Sequence, residues 1–465
     1  MKDFKQIILF SILISLHFVA VPANAQSNRG TWKAGVAKAD ITPGESMWMA
    51  GYAARNRPSE GTLHPIWAKA LVLEDESGKS AVLITTDLVG IRQELSKKIR
   101  DGLKKKYGLS RDQVILNSSH THTGPETDVS RHTFSLDSKE LKKIENYAQS
   151  LEKAIIKLVG EAMETKEPVK LYAENGISRF QVNRRNNKEA SLTPTTDLKG
   201  PNDYAVPVIK VENQAGELKA IAFGYACHPT VLSDYNWSGD YAGFAQLELE
   251  KNYPGTTALF FQGAGADQNP LPRRSVSLAK QYGKTLAAAV ERVLDEEMRP
   301  LSPELSTNYS EIDLTFKDPV PTKEELTEII GPSSEVPEYL KHSAKVYLDQ
   351  LEKGKPLITS YPYPVQAWKL GEQPIISLGG ELLVGYSIAL KEIFGPDLFV
   401  LGYSNDVMAY IPTAEVLAEG GYEGTRSPIF TTPWASDIEE RIIQEATRLA
   451  VEAGIPKAQV AVSEN

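Results

Sequence analysis

Apolar positions recur along this chain in two rhythms. Short runs rich in β-branched and aromatic residues predict strands at 68–73, 81–88, 113–117, 206–211, 220–226, 257–262, 374–378 and 398–403. Between them, apolar residues spaced by three and four predict amphipathic helices at 138–163, 277–297, 323–330, 336–351 and 434–453. In the last of these, Asp437, Glu439 and Glu440 put negative charge where a helix begins. Strand runs alternating with helical ones give an α/β fold class, with mixed β-sheets packed against helices. No internal repeat, low-complexity stretch or long linker divides the chain. We therefore expect one large domain over 26–465, elaborated by a charged, Pro-punctuated segment at 301–361 that forms an inserted helical subdomain or flap.

The N-terminus has its own pattern. Lys2 and Lys5 precede an apolar run from Ile7 to Val21, and Ala23-Asn24-Ala25 follows as a small-x-small cleavage site. The run is short for a membrane span of roughly 20 residues. Residues 1–25 thus read as a cleaved secretory signal peptide, which places the mature chain in the periplasm or outside the cell with no transmembrane segment.

Composition narrows the classes further. With 41% hydrophobic and 24% charged positions the chain is neither disordered nor fibrous. Its 51 basic against 60 acidic residues give a net charge of −9, and no Lys/Arg block offsets it, so nucleic acid is excluded as a partner. The single cysteine, Cys227, excludes a disulfide framework, a Cys-based structural zinc site and a CxxC redox motif.

The candidate chemistry lies at strand ends. His120 and His122, in Asn117-Ser118-Ser119-His120-Thr121-His122-Thr123-Gly124-Pro125, project to one side of an extended chain and start a metal site. His228 follows another strand in Ala226-Cys227-His228-Pro229-Thr230, where adjacent Cys227 faces the opposite way and reads as a buried, inert thiol. Gly263-Ala264-Gly265-Ala266-Asp267-Gln268 has Gln268 in place of a third glycine and prolines 270 and 272 beyond, which excludes a dinucleotide-binding loop.

Four clusters in order, His120-Thr121-His122-Thr123-Gly124-Pro125, Ala226-Cys227-His228-Pro229-Thr230, Gly379-Gly380-Glu381 and Gly421-Tyr422-Glu423-Gly424, resemble those of the neutral/alkaline, non-lysosomal ceramidases. The stretches 35–43, 49–53 and 64–70 also resemble the opening of that family's catalytic domain. The resemblance implies one Zn2+ per chain held by His120, His228, Glu381 and Tyr422. It implies that His122 stands beside the metal as hydrogen-bond partner or proton shuttle, and that His64, Arg184, Tyr403 and Asn405 face the substrate. Asp240 is the expected acceptor that orients a histidine ligand.

Two departures shape the expected mechanism. Where the family has Gly-Asp-Val-Ser-Pro, this chain has Ala266-Asp267-Gln268-Asn269-Pro270, and an asparagine amide at the place of the serine is no nucleophile. Attack by metal-activated water remains, with Asp267, Asp240 or His122 moving the proton. The family's immunoglobulin-like C-terminal domain also has no counterpart here, which leaves the substrate open among a small molecule, a lipid and a glycan. The leading expectation is a zinc-dependent hydrolase of an N-acyl amide. The alternatives are a glycosidic or ester bond of an extracellular glycan, or a non-catalytic metal-binding homologue.

Overall fold

The computed structural model describes residues 31–129, 136–429 and 431–458; the predicted secretory segment lies outside them. These described residues form one compact unit. Its large sheet is built from β1 (Trp32–Asp40), β2 (Trp67–Glu74), β3 (Ser80–Thr86), β4 (Val114–Ser118), β5 (Glu167–Ile177), β6 (Ala205–Asn213), β7 (Leu218–Tyr225) and β8 (Thr257–Gln262). Their order is β8-β7-β6-β5-β1-β2-β3-β4. Inner neighbours are antiparallel, while the outer pairs β3/β4 and β7/β8 are parallel. A second sheet has the order β9 (Leu305–Thr315), β10 (Ser360–Leu370), β11 (Gln373–Leu378) and β12 (Phe399–Leu401), with β11 and β12 parallel.

Alternation along the strands sorts side chains into layers. In β2, Leu71 and Leu73 enter a core shared with Trp368, Ile375 and Phe399 of the second sheet, whereas Ala68, Ala70 and Val72 face helices. In β7, Ala220 and Ala222 take the first direction and Ile221 and Phe223 the second. The two sheets therefore pack face to face. Helices α1 (Gln93–Tyr107) and α2 (Ser138–Glu164) cover one half of the large sheet, and α3 (Asp240–Asn252) and α4 (Val276–Asp295) cover the other. The outer face of the second sheet is closed by α5 (Lys323–Ile330), α6 (Glu338–Glu352), α7 (Val384–Phe394) and, after the short α8 (Ala414–Glu419) and α9 (Gly421–Gly424), α10 (Ile438–Glu452). Four layers result, helix–sheet–sheet–helix.

The helical expectations that rest on strong periodicity hold closely. Thr322 and Glu325 form a reciprocal capping box that starts α5 where its apolar spacing begins. The last helix starts later than its pattern suggests, because Trp434 is withdrawn from it: the indole donates to the Tyr410 carbonyl at 2.9 Å and stacks on Phe316. Within 301–361, Leu305–Thr315 is a strand paired along its whole length with Ser360–Leu370, so the helical excursion is limited to α5 and α6.

Candidate metal centre

Four chemistry-bearing residues lie two or three positions beyond strand ends: His120 after β4, His228 after β7, Glu381 after β11 and Tyr403 after β12. Each of these strands belongs to a parallel pair, and the carboxyl ends of parallel strands are where α/β sheets leave a crevice. The turn that presents His120 is strained, with φ +66°, and Tyr403 has φ +51°. Non-glycine residues in this region cost about 1–3 kcal/mol each and persist where the surroundings over-determine them. Glu381 needs a glycine before it: Gly380 has φ +71°, and a Cβ there would meet Ile411 at 2.4 Å.

Backbone carbonyls set the direction of the two buried imidazoles. Val89 accepts from Nδ1 of His120, and Gly265 accepts from Nδ1 of His228 at 2.8 Å. With Nδ1 protonated, each Nε2 is left as a lone pair pointing inward. His120 Nε2 lies 3.1 Å from His122 Nε2 and 3.3 Å from Glu381 Oε2, and His228 Nε2 lies 3.5 Å from the same oxygen. Tetrahedral ligands about 2.0–2.1 Å from a zinc ion stand about 3.3 Å apart, so the spacing matches that of donors around one cation. Neither His228 Nε2 nor Glu381 Oε2 makes a conventional hydrogen bond, although both are buried.

Electrostatics favour the same protonation states. Burial pushes His228 down to about 4, assisted by Arg184 and His120 and opposed by Glu381. Burial alone would raise Glu381, but His120 and His228 outweigh it and hold the carboxyl well below its ordinary value. At neutral pH the cluster offers an unprotonated His228 and an ionised carboxylate. The residues fit a divalent cation, and His120, His122 and His228 form a group able to hold one.

His122 reaches the cluster from the open side. It lines a cleft of about 640 Å³, which His120, His228 and Glu381 do not. Gly51, with φ +96°, permits this approach, since a Cβ there would meet the imidazole at 2.5 Å. Tyr52 packs edge-on against the His122 ring at 4.7 Å. Tyr422 stands on the cleft wall, 56% exposed, with its ring 5.4 Å from that of Tyr410 and close enough to feel the Glu381 charge.

Other expected site residues divide into two groups. Asn269 lines the cleft with Oδ1 buried and unpartnered. Tyr403 is fully buried with its ring 4.5 Å from that of His120, and its hydroxyl has no partner among the described residues. Arg184 also lines the cleft, but it is no exposed loop residue: it donates to Glu423 at 2.7 Å and to the Tyr410 phenol at 3.1 Å.

The remaining four carry structure instead. Asp240 orients no histidine, because backbone carbonyls do so; its carboxylate accepts from the Leu232 and Tyr241 amides at 2.8 and 2.6 Å. Asp267 is buried, with one oxygen taken by Asn183 and the other by the amide of Val384, each at 3.0 Å. Asn405 bonds the Leu116 amide at 3.1 Å and Gln366 at 2.7 Å. His64 packs edge-on against Phe244 at 4.8 Å with Nδ1 on the Pro65 carbonyl, away from the cleft-lining residues. Sequence reasoning missed Tyr52, Tyr410 and Glu423 as wall residues. Tyr52 and Glu423 stand inside the recognised Gly-Tyr and Gly-Tyr-Glu-Gly stretches, so the signal was present.

Face-to-face sheets under helices, with three imidazoles and a carboxylate converging at strand ends, define an α/β protein equipped to hold a metal ion. The family model described as neutral/alkaline non-lysosomal ceramidase, N-terminal, matches residues 32–272, and the chain belongs to that family. It is 27% identical over 273 residues to the neutral ceramidase of Pseudomonas aeruginosa, covering 56% of this chain and 40% of that protein. It is 26% identical over 248 residues to neutral ceramidase A of Dictyostelium discoideum, covering 50% and 34%. The chain thus spans less than half the length of these curated relatives. The crystal structure of the Pseudomonas aeruginosa neutral ceramidase shares the fold, with a TM-score of 0.70 at 21% identity, over 94% of this chain and 76% of that one.

Proposed function

We propose that this chain hydrolyses the amide bond of an N-acyl substrate with one zinc ion held by His120, His228 and Glu381. The observation that carries this reading is the convergence of His120 Nε2 and His228 Nε2 on the buried Glu381 Oε2, at 3.3 and 3.5 Å. Bound there, zinc would polarise the scissile carbonyl and make water a nucleophile near neutral pH.

The chain's own groups take the remaining tasks. Glu381 offsets the charge of the cation and, with the two carbonyl-anchored imidazoles, fixes the donor set before substrate arrives. His122, the cluster member on the cleft, is the group that takes and returns the proton. Asn269 Oδ1 accepts a hydrogen bond from the amide N–H of the substrate; with no seryl hydroxyl at this position, no acyl-enzyme forms there. Tyr422 offers its phenol from the open side of the site. The secretory segment at 1–25 supports action in the periplasm or outside the cell, which the N-terminal residue of the mature protein checks.

Purified protein, stripped and reloaded with zinc, is assayed on an N-acyl sphingoid base, a short N-acyl amine, a matched ester and a panel of glycosides. Zinc-dependent release of amine is expected. Turnover confined to esters or glycosides would overturn the amide assignment.

A further inference from the structure

The cleft beside the cluster has a polar wall. Among the described residues lining it, Leu271 is the one large aliphatic side chain; Tyr52, Tyr410 and Tyr422 give flat aromatic surface, and guanidinium–carboxylate pairs make up much of the rest. Arg184 and Arg185 share Glu423 at 2.7 and 2.8 Å, and Arg273 donates from Nε to Glu189 at 3.0 Å. Charges paired in this way offer directional hydrogen bonds more than a net field. An alkyl chain laid over them would remove their water and return no hydrogen bond, which is unfavourable for each group left unsatisfied.

One stretch of chain joins this wall to the place of the scissile amide. Residues 268–270 pair antiparallel with 181–183, and along and beyond this pairing every second residue, Asn269, Leu271 and Arg273, lines the cleft. Asn269 is buried, and its Oδ1 has no partner among the described residues. Arg273 gives both Nε and Nη2 to a single oxygen of Glu189, Oε2, while its Nη1 lies 3.5 Å from the Thr230 hydroxyl. Among the described residues Glu189 Oε1 carries no bond and Nη1 only this long one, and all three side chains line the cleft. A donor and an acceptor held side by side in one ion pair complement neighbouring hydroxyls, each of which both gives and takes a hydrogen bond. The aromatic surface extends the match: Tyr422 is 56% exposed, and a sugar ring has apolar C–H faces inside a polar rim. The cleft's volume of about 640 Å³ suits a small polar molecule.

We propose that the substrate is an N-acylated amino sugar, whose amide N–H meets Asn269 and whose ring hydroxyls are bound by Arg273 and Glu189, in place of a long-chain lipid amide. Water cleaves the amide C–N bond, giving a carboxylate and the free amino sugar, whose nitrogen takes the proton. This rests on the amide-hydrolase reading above for the bond that is cut, but not for the recognition of the hydroxyls.

The test sets N-acetylglucosamine against N-cyclohexylacetamide, which keeps a six-membered ring and the acetamide but has no hydroxyl, and against an N-acyl sphingoid base. Binding of each to the zinc-loaded protein is measured by calorimetry, and amine release is measured in parallel. N-acetylglucosamine is expected to exceed N-cyclohexylacetamide at least about a hundredfold in kcat/KM, because a site that bonds a hydroxyl strongly rejects the analogue without it. Arg273→Met and Glu189→Gln should each narrow that ratio about tenfold, whereas a purely structural role would lower both substrates alike. Equal kcat/KM for the two ring amides, faster turnover of the sphingoid amide, or an undiminished ratio in both variants overturns the proposal. If neither variant folds, the ratio in the native protein decides alone. A binding preference for the sugar without amine release from any amide would leave the recognition standing and sink the hydrolase reading.

Discussion

The side chain of Asn117 and the backbone of Gln262 join the two edges of the large sheet. Asn117 Oδ1 accepts from the Gln262 amide at 2.8 Å, and Nδ2 lies 3.3 Å from the Gln262 carbonyl while donating to Gly402 at 2.8 Å. Residue 117 lies on β4 and residue 262 ends β8, the outermost strands of the order, and β12 is drawn in beside them through the bridges Asn117↔Ser404 and Gly263↔Leu401. One amide thus replaces a missing strand ladder beneath the histidines.

Removing that amide strands several buried backbone groups. Asn117→Ala should destabilise the protein by about 3 kcal/mol in urea unfolding, since each buried group left unpaired costs about 1–3 kcal/mol. A loss below about 1 kcal/mol would mean that the edges hold without it.

Tyr403 has a buried hydroxyl with no partner among the described residues, a cost that a role in the reaction would explain. Tyr403→Phe should therefore raise stability by about 1 kcal/mol while lowering kcat about tenfold or more at unchanged zinc content. Thermal unfolding and steady-state kinetics on one preparation check both halves. Lower stability with unaltered kcat would assign the hydroxyl to structure.

Asp406 gives a pH signature. Burial pushes its carboxyl up to about 7 from an ordinary 3.8, against the Tyr361 hydroxyl and Arg92. A folded pKa above the unfolded one means that the stabilisation is fully present below about pH 4 and is lost as pH rises through 7. Relative to Asp406→Asn, whose amide is neutral throughout, the native protein should lose about 2 kcal/mol between pH 5 and pH 8. Parallel pH profiles for the two proteins would contradict the assignment.

Cys227 is fully buried, and burial, reinforced by Asp240, raises its thiol well above the ordinary range. Native protein should resist iodoacetamide and denatured protein should take up one equivalent. Rapid labelling of the native thiol, with loss of activity, would make Cys227 part of the chemistry.

How far the sequence discloses this molecule depends on what each element buries. α2 and α5 have one apolar face and one polar face, so spacing reveals them. α3, Asp240–Asn252, buries small residues such as Ala242, Gly243 and Ala245 along with Tyr241 and Gln246, and no apolar stripe marks it. Strand β9, Leu305–Thr315, alternates weakly and carries polar residues, which reads as a surface insertion until its pairing with β10 is known. Within the site, His120 and His228 are legible as histidines just past strands, whereas Glu381 is legible only through the Gly-Gly-Glu stretch that resembles the family's. The roles of Asp240, Asp267, Asn405 and His64 are not, since a polar residue beside a site and one lining it look alike along the chain. At Asp240 and Asn405 a positive φ accompanies side chains that accept from the Leu232 and Leu116 amides instead of lining the cleft.

The central claim is that His120, His228 and Glu381 hold a zinc ion needed for hydrolysis. Elemental analysis of the purified protein and of His228→Ala and Glu381→Gln, each paired with an N-acyl amide assay before and after chelation, tests it most directly. The account predicts one zinc per chain in the native protein, little in either variant, and activity that vanishes on chelation and returns with zinc. Full activity in metal-free protein, or undiminished zinc in both variants, would contradict it.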